Sequence, residues 1–94
     1  MRRVAWHSSF RRAFEKQTRR DPHLRERILE ALRRLADDLF DPQLRTHNLR
    51  GQLDGLWACR VEHDLRIVFA LEPDPAGPED MIVLIDLGSH DEVY

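Results

Sequence analysis

Two apolar runs, LWACRV (Leu56–Val61) and LRIVFALE (Leu65–Glu72), flank the triplet Glu62-His63-Asp64, and their pairing constrains this chain more than any other feature. If the triplet is a three-residue hairpin loop, Val61 faces Leu65, Cys59 faces Ile67 and Trp57 faces Phe69. All six are apolar, so one face of the pair is wholly core. A two-residue loop would instead set Arg60 opposite Ile67 and mix the two faces. The favoured register places Arg60 directly opposite Arg66. Like charges across a ladder are destabilising. Either an anion sits between them, or Glu62, Asp64 or Asp86 neutralises them.

The apolar face needs a second layer, and the N-terminal half supplies helices. In DPHLRERILEALRRLADDLFDP, Asp21 is suited to the N-cap and Pro22 to the first helical position, where a missing N–H costs nothing. Leu24, Ile28, Leu32, Leu35 and Leu39 form a stripe at helical spacing, with Arg25, Glu26, Arg33, Arg34 and Asp37 opposite. Asp41–Pro42 is expected to end the helix. Ahead of it, SSFRRAFEKQTRRD puts Phe10 and Phe14 on one face, with Arg11, Arg12, Lys16, Arg19 and Arg20 outside, and Ser8 or Ser9 as cap. RRVAWH reads as a short first strand. QLRTHNLRGQLDG reads as a loop with at most short strand character. PDPAGPED is a mobile, solvated connection, and MIVLIDLG is a central strand. The expectation is one α+β domain over residues 1–94, β-α-α-β-β-β, with an N-terminal strand and a two-helix hairpin packed on an antiparallel sheet.

Composition narrows the class. Ninety-four residues suit a single domain. Cys59 is the only cysteine, which rules out an internal disulfide and fits a reducing cytoplasm. There is no secretory apolar segment, and the run Met81–Ile85 is far too short to span a bilayer, so no membrane association is expected. The five histidines lack paired ligand spacing, so neither a structural zinc nor any other cofactor is expected. His7, His23 and His63 read as solvent-facing, and Trp6 and Trp57 as core. The net charge of −2 hides a split. Residues 1–50 hold thirteen Lys and Arg against seven Asp and Glu, a net +6, while residues 51–94 hold two against ten, a net −8. Fourteen of the fifteen basic residues are arginine, the residue suited to bidentate contact with phosphate or carboxylate.

His47-x-Leu49-x-Gly51, Trp57, Arg60, Asp64-x-Arg66 and Gly88-x-His90 occur in an order and spacing that resemble the RelE/ParE toxin superfamily of bacterial toxin–antitoxin modules, closest to the YafQ-like ribonuclease toxins. The resemblance covers nearly the whole chain. It implies a metal-independent endoribonuclease that cuts mRNA on the ribosome through attack of the ribose 2′-OH on the neighbouring phosphate. Such a step needs a base for the 2′ proton, cations on the phosphate and an acid for the leaving 5′ oxygen. The resemblance assigns the acid–base work to His47 and His90, the orienting acid to Asp64 and a base-stacking ring to Tyr94. Arg60 and Arg66 fall at phosphate-binding positions, and Lys16 on the basic first helix joins them as an RNA contact. It also implies a cognate antitoxin as partner, with DNA met only through the toxin–antitoxin complex. Some YafQ-like members carry histidine where this chain has Arg60, and an aromatic residue where it has Leu65.

Two other readings share these strands. ParE-like toxins carry a similar DLRIVF pattern and inhibit DNA gyrase without cutting RNA. The His47 and His90 pair separates the two, because a gyrase binder has no use for paired acid–base groups. The other reading is a degenerate toxin retained as an antitoxin-binding repressor partner.

Overall fold

The computed structural model describes residues 1–51 and 55–93. Strand β1 (Val4–Trp6) leads into α1 (Ser8–Thr18) and α2 (Pro22–Asp37). A 3-10 turn (Pro42–Leu44) precedes β2 (His47–Asn48), β3 (Trp57–Glu62), β4 (Leu65–Glu72), β5 (Met81–Gly88) and a short α3 (His90–Val93). Among the described residues the strands form one sheet in the order β1-β5-β4-β3-β2. β2 to β5 pair antiparallel, while β1 joins β5 in parallel, with Val4 opposite Ile82 and Trp6 opposite Leu84. β5 is therefore interior, flanked by β1 and β4, and β4 takes the middle.

The helix layer covers one sheet face. Phe10, Ile28, Leu35, Ile67, Phe69, Ile82 and Leu84 are fully buried there, with Phe14, Leu32 and Cys59 among them. Burial of each large side chain contributes about 1.5–3 kcal/mol. Half-buried Trp6 meets Phe10 and Phe14 edge-on, each ring centroid 5.0 Å away. Asp21 caps α2 by accepting from the Leu24 N–H at 3.0 Å, with Pro22 in the first turn.

Three local expectations are corrected, at the cap of α1, the end of α2 and the β3–β4 turn, while the short strand character allowed around His47 is realised. α1 is capped by His7, whose Nδ1 accepts from the Ser9 N–H, while the Ser9 hydroxyl donates to the Ile85 carbonyl. α2 stops at Asp37, and Asp41–Pro42 instead opens the 3-10 turn, where Asp41 accepts from the Gln43 N–H. His47 and Asn48 pair with Ala58 and Trp57 as an edge strand. Trp57, Cys59 and Arg60 face Phe69, Ile67 and Arg66 as expected, but the loop is a two-residue His63–Asp64 turn. A bulge between Arg60 and Glu62 absorbs the extra residue, so Glu62 rather than Val61 pairs with Leu65. A bulge adds one residue to one strand, which is how a two-residue turn and the three-residue register coexist. The connection after β4 is also more organised than its composition suggests: Asp74 accepts from the Ala76 N–H and from Arg3, and Arg2 donates to the Asp80 carbonyl.

Candidate functional site on the uncovered sheet face

Side chains alternate across a strand, so the residues between the core positions point away from the helices. On this second face one row across the sheet reads His47, Ala58, Val68 and Asp86, and the next reads Arg60, Arg66 and Gly88. Leu49, Ala58 and Val68 make a small buried cluster there, with Leu56, Ile85 and Val93 packed on it. Val93 belongs to α3, so the C-terminal turn folds back over this face.

A capping box starts α3. The Ser89 hydroxyl accepts from the Glu92 N–H at 3.3 Å, and Glu92 Oε1 accepts from the Ser89 N–H at 2.8 Å. Gln17 of α1 donates to the same carboxylate at 3.4 Å. The Ser89 backbone and hydroxyl hydrogen bonds hold the Glu92 carboxyl below its ordinary value, with smaller help from Gln17 and the Lys16 charge. Gly88 does not turn the chain through a left-handed conformation, since the positive-φ glycines are Gly51 and Gly55. It provides clearance: a Cβ there would meet Glu92 Cβ at 3.0 Å and Val93 Cγ1 at 3.2 Å.

This packing brings together residues far apart in sequence. Asp64 Oδ1, in the β3–β4 turn, accepts from Arg66 at 3.3 Å and from the His90 N–H at 3.5 Å. Arg60 lies opposite Arg66 and forms no hydrogen bond or ion pair among the described residues. Of Glu62, Asp64 and Asp86, it is Asp64 that meets Arg66 among the described residues: Glu62 is paired with Arg27 of α2, and Asp86 accepts from the neighbouring Leu87 N–H. Arg60 also lines a cavity of about 200 Å³ at the sheet edge with Arg27, Arg34 and Gln43. His47 is exposed on β2, diagonal to Arg60, a relation that sets Cα atoms about 7–8 Å apart. Its Nδ1 lies 2.9 Å from the Arg45 carbonyl oxygen.

The structure thus gathers His47, Arg60, Arg66, Asp64 and His90 along one face and its turn end. Lys16 stands apart on α1, near Glu92 rather than among these groups. Tyr94 lies outside the described residues. Cys59 is buried on the helix side and its thiol is pushed up to about 12 by burial, which removes it as a nucleophile. The capping box escaped the sequence reading although Ser89-x-x-Glu92 is its signature. The Arg45 contact to His47 left no mark in residue type. Among the described residues no group of three His, Cys, Asp or Glu could hold a metal ion, and no helix is long and apolar enough to cross a membrane.

The fold is that of small bacterial toxins. The YoeB/ParE toxin from Agrobacterium tumefaciens superposes with a TM-score of 0.76 at 23% identity, over 94% of this chain and 98% of that one. YafQ from E. coli strain BL21(DE3) gives 0.78 at 12% identity, over 100% and 99%. The E. coli DinJ–YafQ complex gives 0.76 at 14%, also over 100% and 99%. No curated protein matches the chain in sequence. The chain belongs to the YafQ family, bacterial toxins of type II toxin–antitoxin systems, whose pattern matches residues 2–94.

Proposed function

We propose that this toxin is an endoribonuclease that cleaves mRNA on the ribosome, in the cytoplasm, without a metal, and is silenced by a cognate antitoxin. The observation that carries the reading is the Asp64 carboxylate, which ties Arg66 to the backbone of His90 on the face that also holds Arg60 and His47. A phosphate over the facing arginines has cations on both sides, and the transition state gains charge that they stabilise. His47 takes the 2′ proton as the 2′ oxygen attacks phosphorus. His90 gives a proton to the 5′ oxygen as its bond to phosphorus breaks, leaving a 2′,3′-cyclic phosphate and a 5′-hydroxyl. Asp64 orients both Arg66 and the α3 start. Tyr94, by the family resemblance, offers a ring on which a base stacks. Lys16 extends the cationic rim towards α1. The E. coli DinJ–YafQ toxin–antitoxin complex supports the antitoxin partner: that toxin shares this fold and is seen with its antitoxin.

Primer extension on a message in a translating lysate tests the reading. New stops within the coding region, appearing only with this protein and absent from untranslated message, are expected. Inhibition of gyrase supercoiling without any stops would replace it with the ParE-like reading.

A further inference from the structure

The ring of His47 is held by a backbone feature that the family assignment does not call for. His47 Nδ1 is 2.9 Å from the Arg45 carbonyl oxygen. A carbonyl only accepts, so Nδ1 carries the proton in that contact and the neutral ring keeps its lone pair on Nε2. Arg45 sits at φ 51°, ψ 41°, in the left-handed region. Non-glycine residues adopt that region uncommonly, and Arg45 is the one non-glycine residue with positive φ among those described. The kink is fixed from both sides. Ahead of it, Asp41 accepts from the Gln43 N–H at 2.9 Å and shapes the 3-10 turn that Arg45 closes. After it, the Thr46 hydroxyl donates to the Leu39 carbonyl at 2.7 Å. A single left-handed residue, clamped between two side-chain bonds, therefore aims a carbonyl at the ring of an otherwise exposed histidine.

We infer that Arg45 is a positioning residue for His47: its left-handed backbone, not its guanidinium, holds the ring in the Nδ1–H tautomer and presents Nε2 as the base. The inference rests on the nuclease reading for its functional part, but the tautomer stands on geometry alone. A group that orients a histidine through its second nitrogen sets both the tautomer and the direction of the first.

The test separates the two parts. Nitrogen NMR on the full chain with labelled histidine, at a pH of about 8, above the ordinary range of free imidazole, reads the His47 tautomer without RNA. Cleavage in a translating lysate reads the chemistry. Wild type should show Nδ1–H. Arg45→Gly, which enters the left-handed region readily, should keep both the tautomer and the cutting. Arg45→Val, whose branched side chain resists that region, should shift the ring towards Nε2–H and cut about 10- to 100-fold more slowly. A wild-type ring that is mainly Nε2–H overturns the inference, whether or not Arg45→Val folds. So does an Arg45→Gly chain that keeps the tautomer and loses cutting, because the guanidinium would then be acting on the RNA. If wild type shows the expected tautomer and cuts nothing, the positioning stands and the nuclease reading fails.

Discussion

Asp64 joins two groups that the fold brings together from different parts of the chain. Its carboxylate meets Arg66 two residues away and the His90 N–H twenty-six residues away. The two histidines and two arginines have separable signatures. His90 is exposed and its side chain is absent from both hydrophobic clusters. His90→Ala keeps the backbone N–H that bonds to Asp64, so the chain should stay folded and lose roughly 10²–10⁴ in cleavage rate, the usual cost of a general acid or base. Comparable cleavage by a folded His90→Ala chain would remove the residue from the chemistry. Arg60 faces Arg66 and has no carboxylate partner among the described residues, so Arg60→Leu relieves repulsion as it removes a cation from the phosphate. It should weaken the transition state by about 2.7–4 kcal/mol, as for other charge-stabilising donors, without lowering the urea midpoint. A lower midpoint would show that Arg60 is a structural group.

At the scale of elements, α3 is four residues long and keeps its place through its cap and its packing. Glu92 bonds to Ser89 and Gln17, and its carboxyl is held below its ordinary 4.5. A carboxyl lowered by folding stabilises the docked helix above the unfolded value and loses that contribution as pH falls through the lowered one. Amide exchange at Ser89 should thus be flat from neutral pH down to about 5, once corrected for intrinsic rates, and speed up below 4.5. Glu92→Gln should abolish that acid dependence, and an unchanged profile would mean that another group titrates. Gly88→Ala would force a methyl against Glu92 and Val93, an overpacking that costs roughly 1–3 kcal/mol in a rigid core. So short a helix can yield, so urea unfolding should place the loss at the low end of that range while cleavage falls with the displaced His90. Wild-type cleavage by this variant would detach α3 from the site.

The same scale shows what could be read from residues. The positions of Arg60 and Arg66 made the Trp57–Arg60 and Arg66–Phe69 register legible, because a one-residue slip would set Arg60 opposite Ile67 and mix the two faces. The Val61 bulge was not legible, since a bulged two-residue turn and a three-residue loop give the same pairs from Arg60 back to Trp57 and differ only at Leu65. A three-residue β1 carries no mark of parallel pairing, which follows from where β5 lies. Histidine is not among the usual N-caps, so residue type pointed to the serines beside His7. His47, Arg60, Asp64, Arg66 and His90 were named individually, whereas the contact between Asp64 and His90 depends on α3 folding back.

The whole molecule is divided by charge, +6 over residues 1–50 and −8 over residues 51–94. Arg11 and Arg12 are exposed on α1 and Arg19 and Arg20 in the turn after it, while Arg11 also lies over Trp6 and Arg25 over Phe14. An acidic antitoxin segment that folds as it binds can wrap this surface. Binding to exposed charges is screened beyond about 8 Å at physiological salt, so affinity of the purified pair should fall as salt rises. A flat response would point to the apolar groove of about 360 Å³ lined by Val4, Trp6, Leu29 and Leu32.

The central claim is 2′-OH attack on a phosphate held by the uncovered sheet face, and one measurement reaches it directly. Ribosomes are programmed with a message carrying a single 2′-deoxy nucleotide on the 5′ side of a bond this protein cuts, and single-turnover cleavage is followed at that bond. The account predicts that cutting stops there, continues at unmodified bonds, and leaves 2′,3′-cyclic phosphate ends on the products. Cleavage of the deoxy-substituted bond at the unmodified rate would contradict it.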